Sequence, residues 1–340
     1  TKFIVVDRVE VIMGPWAIFV TNSSNTVGGM VNKISKSPTS YGVGELRVEA
    51  ALWDRGSVSL DYGGPLTADK KLQYRLLLSA TDVDRYWDRD GGDKRWSILP
   101  MIAYDFSPET RAWIKFEQHD HRYGAYEGVP LDGRTGKPAL GRKGNLHEEG
   151  PLNWRKADYE VVWGQFTTRP ADFLAVRLAA LGHWENNSRI QSIVNPTGAT
   201  TPTRRADGTF AFLPYAQYTI PPDYRPGQLI ARTTTVNVNR PISREVQNDY
   251  VFNFTTGPAR HTLLVGGILR SDDIVQQNYS SGATSTATSS SVDPFNPTFP
   301  GTVFVNFNQP PINVTERNDI FGKWYALATT SLVNDRIIVT

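Results

Sequence analysis

From about Val43 onward the chain repeats one pattern: apolar and polar residues alternate in stretches of about ten, separated by turn-forming residues. Successive side chains of a β-strand point to opposite faces, so strict alternation predicts strands with one apolar and one polar face. In 72–82, Leu72, Tyr74, Leu76, Leu78 and Ala80 share a face opposite Gln73, Arg75, Ser79 and Thr81, with Leu77 the single exception. Trp96, Ile98, Ile102, Tyr104 and Phe106 line up in the same way. Ala112, Ile114 and Phe116 oppose Arg111, Lys115, Glu117 and His119, although Trp113 falls on the charged side. Val246, Tyr250, Phe252 and Phe254 oppose Gln247, Asp249 and Asn253.

The pattern and its turns predict about eleven strands: 43–53, 56–63, 72–83, 95–106, 111–121, 157–168, 173–185, 245–256, 260–273, 317–329 and 335–340. Strands 157–168, 260–273 and 317–329 alternate poorly and are placed partly by their turns. Short turns at 64–71, 107–110, 170–172 and 257–260 alternate with long connections at 84–94, 122–156, 188–244 and 274–316. Tilted strands of about ten residues span a bilayer, and short turns on one side with long loops on the other mark an outer-membrane barrel. Structureless loops of more than about fifteen residues argue against a compact soluble domain. Trp53, Trp87, Trp96, Phe106, Trp184 and Trp324 lie near the expected strand ends, where aromatic residues form girdles at the membrane interface.

Composition narrows this reading. The chain has 340 residues, with 36 basic and 34 acidic, giving a net charge of +2, so no strong field points to nucleic acid. Cysteine is absent, which excludes disulfide frameworks and thiolate metal sites. The 9 Trp, 14 Tyr and 15 Phe supply ample aromatic surface. The mean hydropathy of −0.37 and the lack of any long apolar run exclude helical membrane spans, but not a barrel whose strands turn a polar face to the lumen. No signal peptide is visible at Thr1, and the last residues stop within an expected strand; a fragment of a longer chain is expected.

The first 38 residues differ. They are short, glycine-punctuated and apolar, and end in Lys33-Ile34-Ser35-Lys36-Ser37-Pro38. The segment Val9-Glu10-Val11-Ile12-Met13-Gly14-Pro15 followed by Gly28-Gly29-Met30-Val31-Asn32-Lys33 resembles the end of the plug in TonB-dependent outer-membrane siderophore receptors. Gly64-Pro65-Leu66, Trp96-Ser97-Ile98-Leu99-Pro100 and His261-Thr262-Leu263-Leu264-Val265-Gly266-Gly267 also look like that family, with ferrichrome-type receptors the nearest. The family fold is a plug inside a barrel of about 22 strands. The resemblance implies an all-β fold: a partial transmembrane antiparallel barrel (39–340) preceded by the C-terminal part of an α+β plug (1–38).

It further implies import of a ferric siderophore across the outer membrane, energised by the TonB–ExbB–ExbD complex, with no enzymatic chemistry and no cofactor. Outer-membrane lipid and lipopolysaccharide would surround the barrel. Alternatives are another cargo, such as an oligosaccharide or corrinoid, or a non-transporting barrel; the Gly14-Pro15 and Gly28-Gly29 plug signature argues against the last. Two departures stand out. Met13 stands where the family has an Arg that pairs plug with barrel by charge, so a weaker charge lock is expected. Gly128 stands where ferrichrome receptors have a Trp.

Transport requires binding groups and a movable plug rather than a nucleophile. The expected ligand contacts are Tyr126 and Tyr123 in the loop 123–130, with Trp184 a third candidate that equally fits a girdle. A phenol supplies a ring for packing and a hydroxyl for a hydrogen bond. His119, Asp120 and His121, with His147, Glu148 and Glu149 later, could suggest a metal, and His119 and His121 share a strand face that permits a two-ligand site, but polar residues at a strand-to-loop junction are the expected explanation. Asp88-Arg89-Asp90-Gly91-Gly92-Asp93 lacks the spacing and terminal Glu of a calcium loop and reads as a loop tip.

Overall fold

A computed structural model of the chain describes residues 3–13, 29–52, 55–85, 88–124, 131–132, 154–194, 219–220, 230–280, 291–292, 310–332 and 337–339. A single 3₁₀ turn, Phe3–Val5, leads into β1 (Val6–Met13), which pairs antiparallel with β2 (Gly29–Ser35) as a separate hairpin. The strands that follow are β3 (Val43–Ala51), β4 (Arg55–Pro65), β5 (Leu72–Arg85), β6 (Asp88–Ser107), β7 (Thr110–Gly124), the short β8 (Leu131–Asp132), β9 (Trp154–Ala171) and β10 (Leu174–Val194). After the short β11 (Thr219–Ile220) come β12 (Ile230–Thr256), β13 (Ala259–Ser280), the short β14 (Ser291–Val292), β15 (Asn313–Leu332) and β16 (Ile337–Val339). Eleven of these form one sheet in which every long strand pairs with its sequence neighbours: β3-β4-β5-β6-β7-β9-β10-β12-β13-β15-β16. All ladders along this path are antiparallel, and β3 and β16 are its two edges. This is an all-β barrel wall, and the eleven expected strands occur in the expected order. Among the described residues no helix is long and apolar enough to cross a membrane.

The alternation separates two environments. Asp61, Gln73, Arg75, Leu77, Ser79, Thr81, Leu99, Met101, Ala103 and Lys115 are buried on the face that meets the N-terminal hairpin. Val58, Tyr62, Trp96, Ile102, Tyr104, Phe106, Ile114, Leu178, Val246, Leu269 and Trp324 are exposed on the other, as lipid-facing side chains would be. Leu77, the exception in its strand, has a reason: it joins Leu99 and Met101 in an apolar patch of the inner wall that packs on Ile4 and Val5.

The wall departs from the sequence expectation at its upper rim. Strands do not stop where the bilayer would. β12 has 27 residues and β13 has 22. At about 3.3 Å per residue and a tilt near 40°, 27 residues rise roughly 65–70 Å, far beyond a hydrocarbon core of about 30 Å. The expected loop 84–94 is almost entirely strand, with Arg85 paired to Asp88 across two residues, so the Asp88–Asp93 segment is part of β6 rather than a loop tip. The expected loops 122–156, 188–244 and 274–316 likewise contract as strands run through both flanks. Bilayer thickness sets only the minimum length; in water the paired backbone continues as long as partners face each other.

The short turns follow local chemistry. Between β4 and β5, the Leu66 amide bonds to the Leu72 carbonyl at 2.7 Å and the Thr67 hydroxyl donates to Asp69 at 2.6 Å. That hydroxyl holds the Asp69 carboxyl below the usual carboxylate range. Lys70 takes the left-handed conformation, φ 59°. Just above, a Cβ at Gly63 would lie 2.5 Å from the Tyr74 carbonyl oxygen and 2.9 Å from the Arg75 Cα, both backbone atoms that cannot swing aside. Gly63→Ala is therefore expected to destabilise the β4–β5 hairpin by about 1–3 kcal/mol. Gly56→Ala, on the same strand with open space around it, is expected to be neutral. Heat-modifiable migration of the folded barrel on SDS gels reads the difference.

Candidate functional site

The hairpin lies against the inner wall, and the chain leaves it through Ser35, Lys36, Ser37 and Pro38, where four cations converge. Asp61 of β4, 1% exposed, is the hub. Its carboxylate takes two bonds from Arg75 of β5 (Nε 2.8 Å, Nη2 2.8 Å) and a third from Lys36 (2.7 Å). The Arg75 side chain also donates through Nη1 to the Ser37 carbonyl at 2.8 Å. A bidentate guanidinium–carboxylate pair fixes direction as well as distance. One residue further on, Arg111 of β7 donates to the Pro38 carbonyl at 2.9 Å, while Gln73 and Asp105 hold its guanidinium at 2.9 and 2.8 Å. Pro38 keeps Ser37 extended. The exit segment can then present successive carbonyls to the two arginines.

The fourth cation is Lys115 of β7. Its ammonium donates to the Ser35 hydroxyl and lies 4.0 Å from the ring centre of Trp163 and 5.4 Å from that of Trp113. The two indoles meet edge to face at 5.6 Å. Ring faces attract a cation electrostatically, more so when both are desolvated. Trp113, the apolar residue on the charged face of its strand, thus partners a buried lysine. Met13, by contrast, is 79% exposed at the end of β1. The charge that ties hairpin to wall is carried by Lys36, Asp61, Arg75 and Arg111.

Beyond the hairpin the inner wall bounds a cavity of about 930 Å³, lined by Lys33–Pro38, by Trp113, Lys115 and Trp163, and on the far side by Arg177, Asp249 and Tyr325. Those last three form a second polar knot. Arg177 donates to Asp249 at 2.7 Å and the Tyr325 hydroxyl donates to the same carboxylate. The Tyr325 ring can lie across the neighbouring strand because its partner in register is Gly266, where a Cβ would sit 2.5 Å from the ring. On the outer face Trp324 covers Gly267 in the same manner. Trp324 therefore sits mid-strand rather than at a strand end. An aromatic ring over a strand glycine restores packing that the missing side chain forfeits.

Above the clasp, the inner faces of β6, β7, β9 and β10 carry rings and charges. His119 stacks on Tyr159 at 4.7 Å, and His121 on Tyr123 at 4.5 Å. The Tyr159 hydroxyl donates to Glu117 at 2.9 Å, His121 Nε2 lies 3.0 Å from Asp93, and His183 meets the edge of Tyr159 at 5.9 Å. Among the described residues no group of three or more His, Asp or Glu is arranged to hold a metal ion. His119 and His121 serve instead as half of a stacked phenol–imidazole wall. Of the expected ligand contacts, Tyr123 stands on this wall, Tyr126 lies outside the described residues, as do His147, Glu148 and Glu149, and Trp184 is on the opposite, outer face, with its ring over Gly182. Tyr123 and Trp184 are not brought together. Tyr159, Glu117 and His183 were missed; the signal was the inward period of 155–165, blurred by Val161 and Trp163 on the inner face and by Asp158 and Glu160 on the outer.

No protein-family model matches the chain. Among curated proteins it is similar to the metal-pseudopaline receptor CntO of Pseudomonas aeruginosa, 30% identical over 112 residues, which is 33% of this chain and 15% of that receptor. It is 23% identical over 263 residues to the ferrichrome outer membrane transporter/phage receptor of Escherichia coli, 76% of this chain and 34% of that protein. The chain thus spans well under half the length of the curated relatives it matches. Its fold matches the crystal structure of the ferripyoverdine receptor of the outer membrane of Pseudomonas aeruginosa, with a TM-score of 0.75 at 15% identity over 97% of this chain and 40% of that one. The resemblance to siderophore receptors read from the sequence holds in both comparisons, and none of these relatives is described as an enzyme.

Removing the hub separates the clasp from its surroundings. Asp61→Asn leaves Arg75 and Lys36 without their counter-charge; losing one partner of a buried ion pair costs about 3–5 kcal/mol. Amide hydrogen exchange in 29–38 is expected to accelerate by about 100-fold or more. Lys36→Met, at a more exposed position, is expected to accelerate it by about tenfold or less.

Proposed function

We propose that this chain is the plug–barrel junction of a TonB-dependent outer-membrane receptor that imports a ferric siderophore. In this reading residues 1–38 are the end of the plug and 39–340 the first part of the barrel. The observation that carries it is the seating of the hairpin inside the barrel wall, held at Ser35–Pro38 by Asp61, Arg75, Arg111 and Lys115. A simple pore has no use for a clasp of this kind. The similarity to siderophore receptors supports the cargo class.

The residues divide the work. The phenol–imidazole wall formed by Tyr123, His121, His119 and Tyr159 faces the lumen, where a flat chelate meets it from outside. An aromatic contact of this kind contributes about 0.5–1.5 kcal/mol beyond buried area. The iron is cargo, held by the siderophore, so the wall has only to recognise the organic surface of the complex. Tyr126, three residues further along the chain, is a second proposed ligand contact. Below it, the clasp fixes the C-terminal end of the plug while the TonB–ExbB–ExbD complex draws on the rest of the plug from the periplasm. Asp61 then acts as the anchor against which the plug is strained and to which it returns. The outer face, with Trp96 and Trp184 one residue row apart, sits against lipid and lipopolysaccharide at the upper interface.

Two experiments test this reading. In iron-limited cells expressing the gene, at least one ferric siderophore of a panel is expected to restore growth, and dissipating the proton motive force is expected to stop its uptake; growth independent of that force overturns the reading. Within the same assay Tyr123→Ala and Tyr159→Ala are each expected to raise the half-saturating siderophore concentration by about 3- to 10-fold. Trp184→Ala, on the lipid side, is expected to leave it unchanged. An effect at Trp184 equal to that at Tyr159 removes the assignment of the inner wall.

A further inference from the structure

The bonds around the hairpin exit fall into two sets: those that cross to the hairpin and those that stay within the wall. Arg75 gives Nε and Nη2 to Asp61 and a single bond, through Nη1, to the Ser37 carbonyl. Arg111 gives Nη1 to Asp105 and Nη2 to Gln73, and sends one bond from Nη2 to the Pro38 carbonyl. Lys115 donates to the Ser35 hydroxyl and otherwise faces the rings of Trp163 and Trp113. Each of these wall cations therefore has partners on β4, β5, β6, β7 or β9 that do not depend on the hairpin. The partners are themselves held: Gln73, 1% exposed, donates to Asp105 at 2.6 Å and to the Lys70 carbonyl at 2.9 Å.

The exit brings little charge to this seat. Its acceptors are two backbone carbonyls and a hydroxyl, and among the described residues the ion it contributes is Lys36. Withdrawing the exit leaves Asp61 matched by Arg75, Arg111 matched by Asp105, and Lys115 against two indoles. No wall ion loses its last partner, which is what makes breaking a buried pair costly. The wall gives up hydrogen bonds to neutral acceptors, whose net worth against water is small. Residues Lys33–Pro38 also line the large cavity, so they border open volume rather than a packed core. The Lys36 amide donates to the Val5 carbonyl at 3.0 Å, which ties the exit to the 3₁₀ turn as one unit.

We propose that the wall forms this seat by itself, complete before the hairpin arrives, and that residues 35–38 occupy it as a reversible peptide ligand offering one ammonium, one hydroxyl and two consecutive carbonyls. The inference rests on reading the hairpin as the end of a plug, and adds to that reading the means of return: an exit that leaves meets donors still aimed at it.

The test is amide hydrogen exchange on the detergent-purified protein, expressed from its complete gene, through a urea series and after dilution. Protection in 29–38 is expected to fall before the barrel loses its heat-modifiable migration, and to recover on dilution to within about twofold of its starting value. Loss of both at the same urea concentration overturns the proposal, and so does protection that stays lost while the barrel remains folded. Asp105→Asn and Trp163→Leu remove partners of Arg111 and Lys115 without removing a bond to the exit. Each is expected to slow the recovery by about tenfold or more. Unchanged recovery in both variants overturns the seat as a device of the wall. Heat-modifiable migration verifies folding, and Gln73→Met replaces a variant that does not fold. No siderophore or TonB enters the measurement, so failure of iron-dependent growth overturns import and leaves the seat standing.

Discussion

A strand has only two faces, and in this wall they differ: an outward face rich in exposed apolar side chains, and an inward face that holds a folded hairpin. Everything else is arranged around that constraint. The antiparallel path from β3 to β16 pairs the backbone of each interior strand with its neighbours, which a hydrocarbon solvent demands because it offers unpaired amides nothing. With the backbone settled, the side chains have one binary choice each. The outer set becomes largely apolar, and the inner set is shaped by the hairpin it holds.

The exceptions to alternation are therefore the informative positions. Leu77 breaks a polar face because Val5 lies against it. Trp113 breaks a charged face because Lys115 has a ring for company as well as a hydroxyl. Both are inner residues whose identity is set by the N-terminal hairpin rather than by water. In β9 the disturbance comes from both sides at once: Val161 and Trp163 are apolar toward the lumen, and Asp158 and Glu160 are charged on the outer face near the strand's upper end. A strand that passes from lipid into water has no reason to stay apolar on its outer face all the way up.

This explains what could be read from the chain and what could not. The eleven strands and their order were legible because a period of two survives even with single interruptions. The strand tops were not, because a length estimate based on bilayer thickness has no information about pairing in water; the Val236-Asn237-Val238-Asn239 alternation was the available sign that β12 begins well before residue 245. Tyr123 was legible as a luminal residue from its place after His121, while its neighbours across the sheet depend on register that no local pattern carries. The Asp61 hub was invisible for the same reason. Its partners are 25 and 14 residues away on either side, joined only when β4, β5 and the hairpin exit come together.

That hub has a consequence for how such a chain can change over generations. One carboxylate answers two cations and, through Arg75, a backbone carbonyl, so positions 36, 61 and 75 do not drift independently. A neutral residue at 61 strands two charges in a place with little water, whereas replacing all three together with a packed apolar set leaves none stranded. Lineages descending from this protein are thus confined to two islands at these positions, ionic or greasy, with a poorly stable stretch of sequence between them.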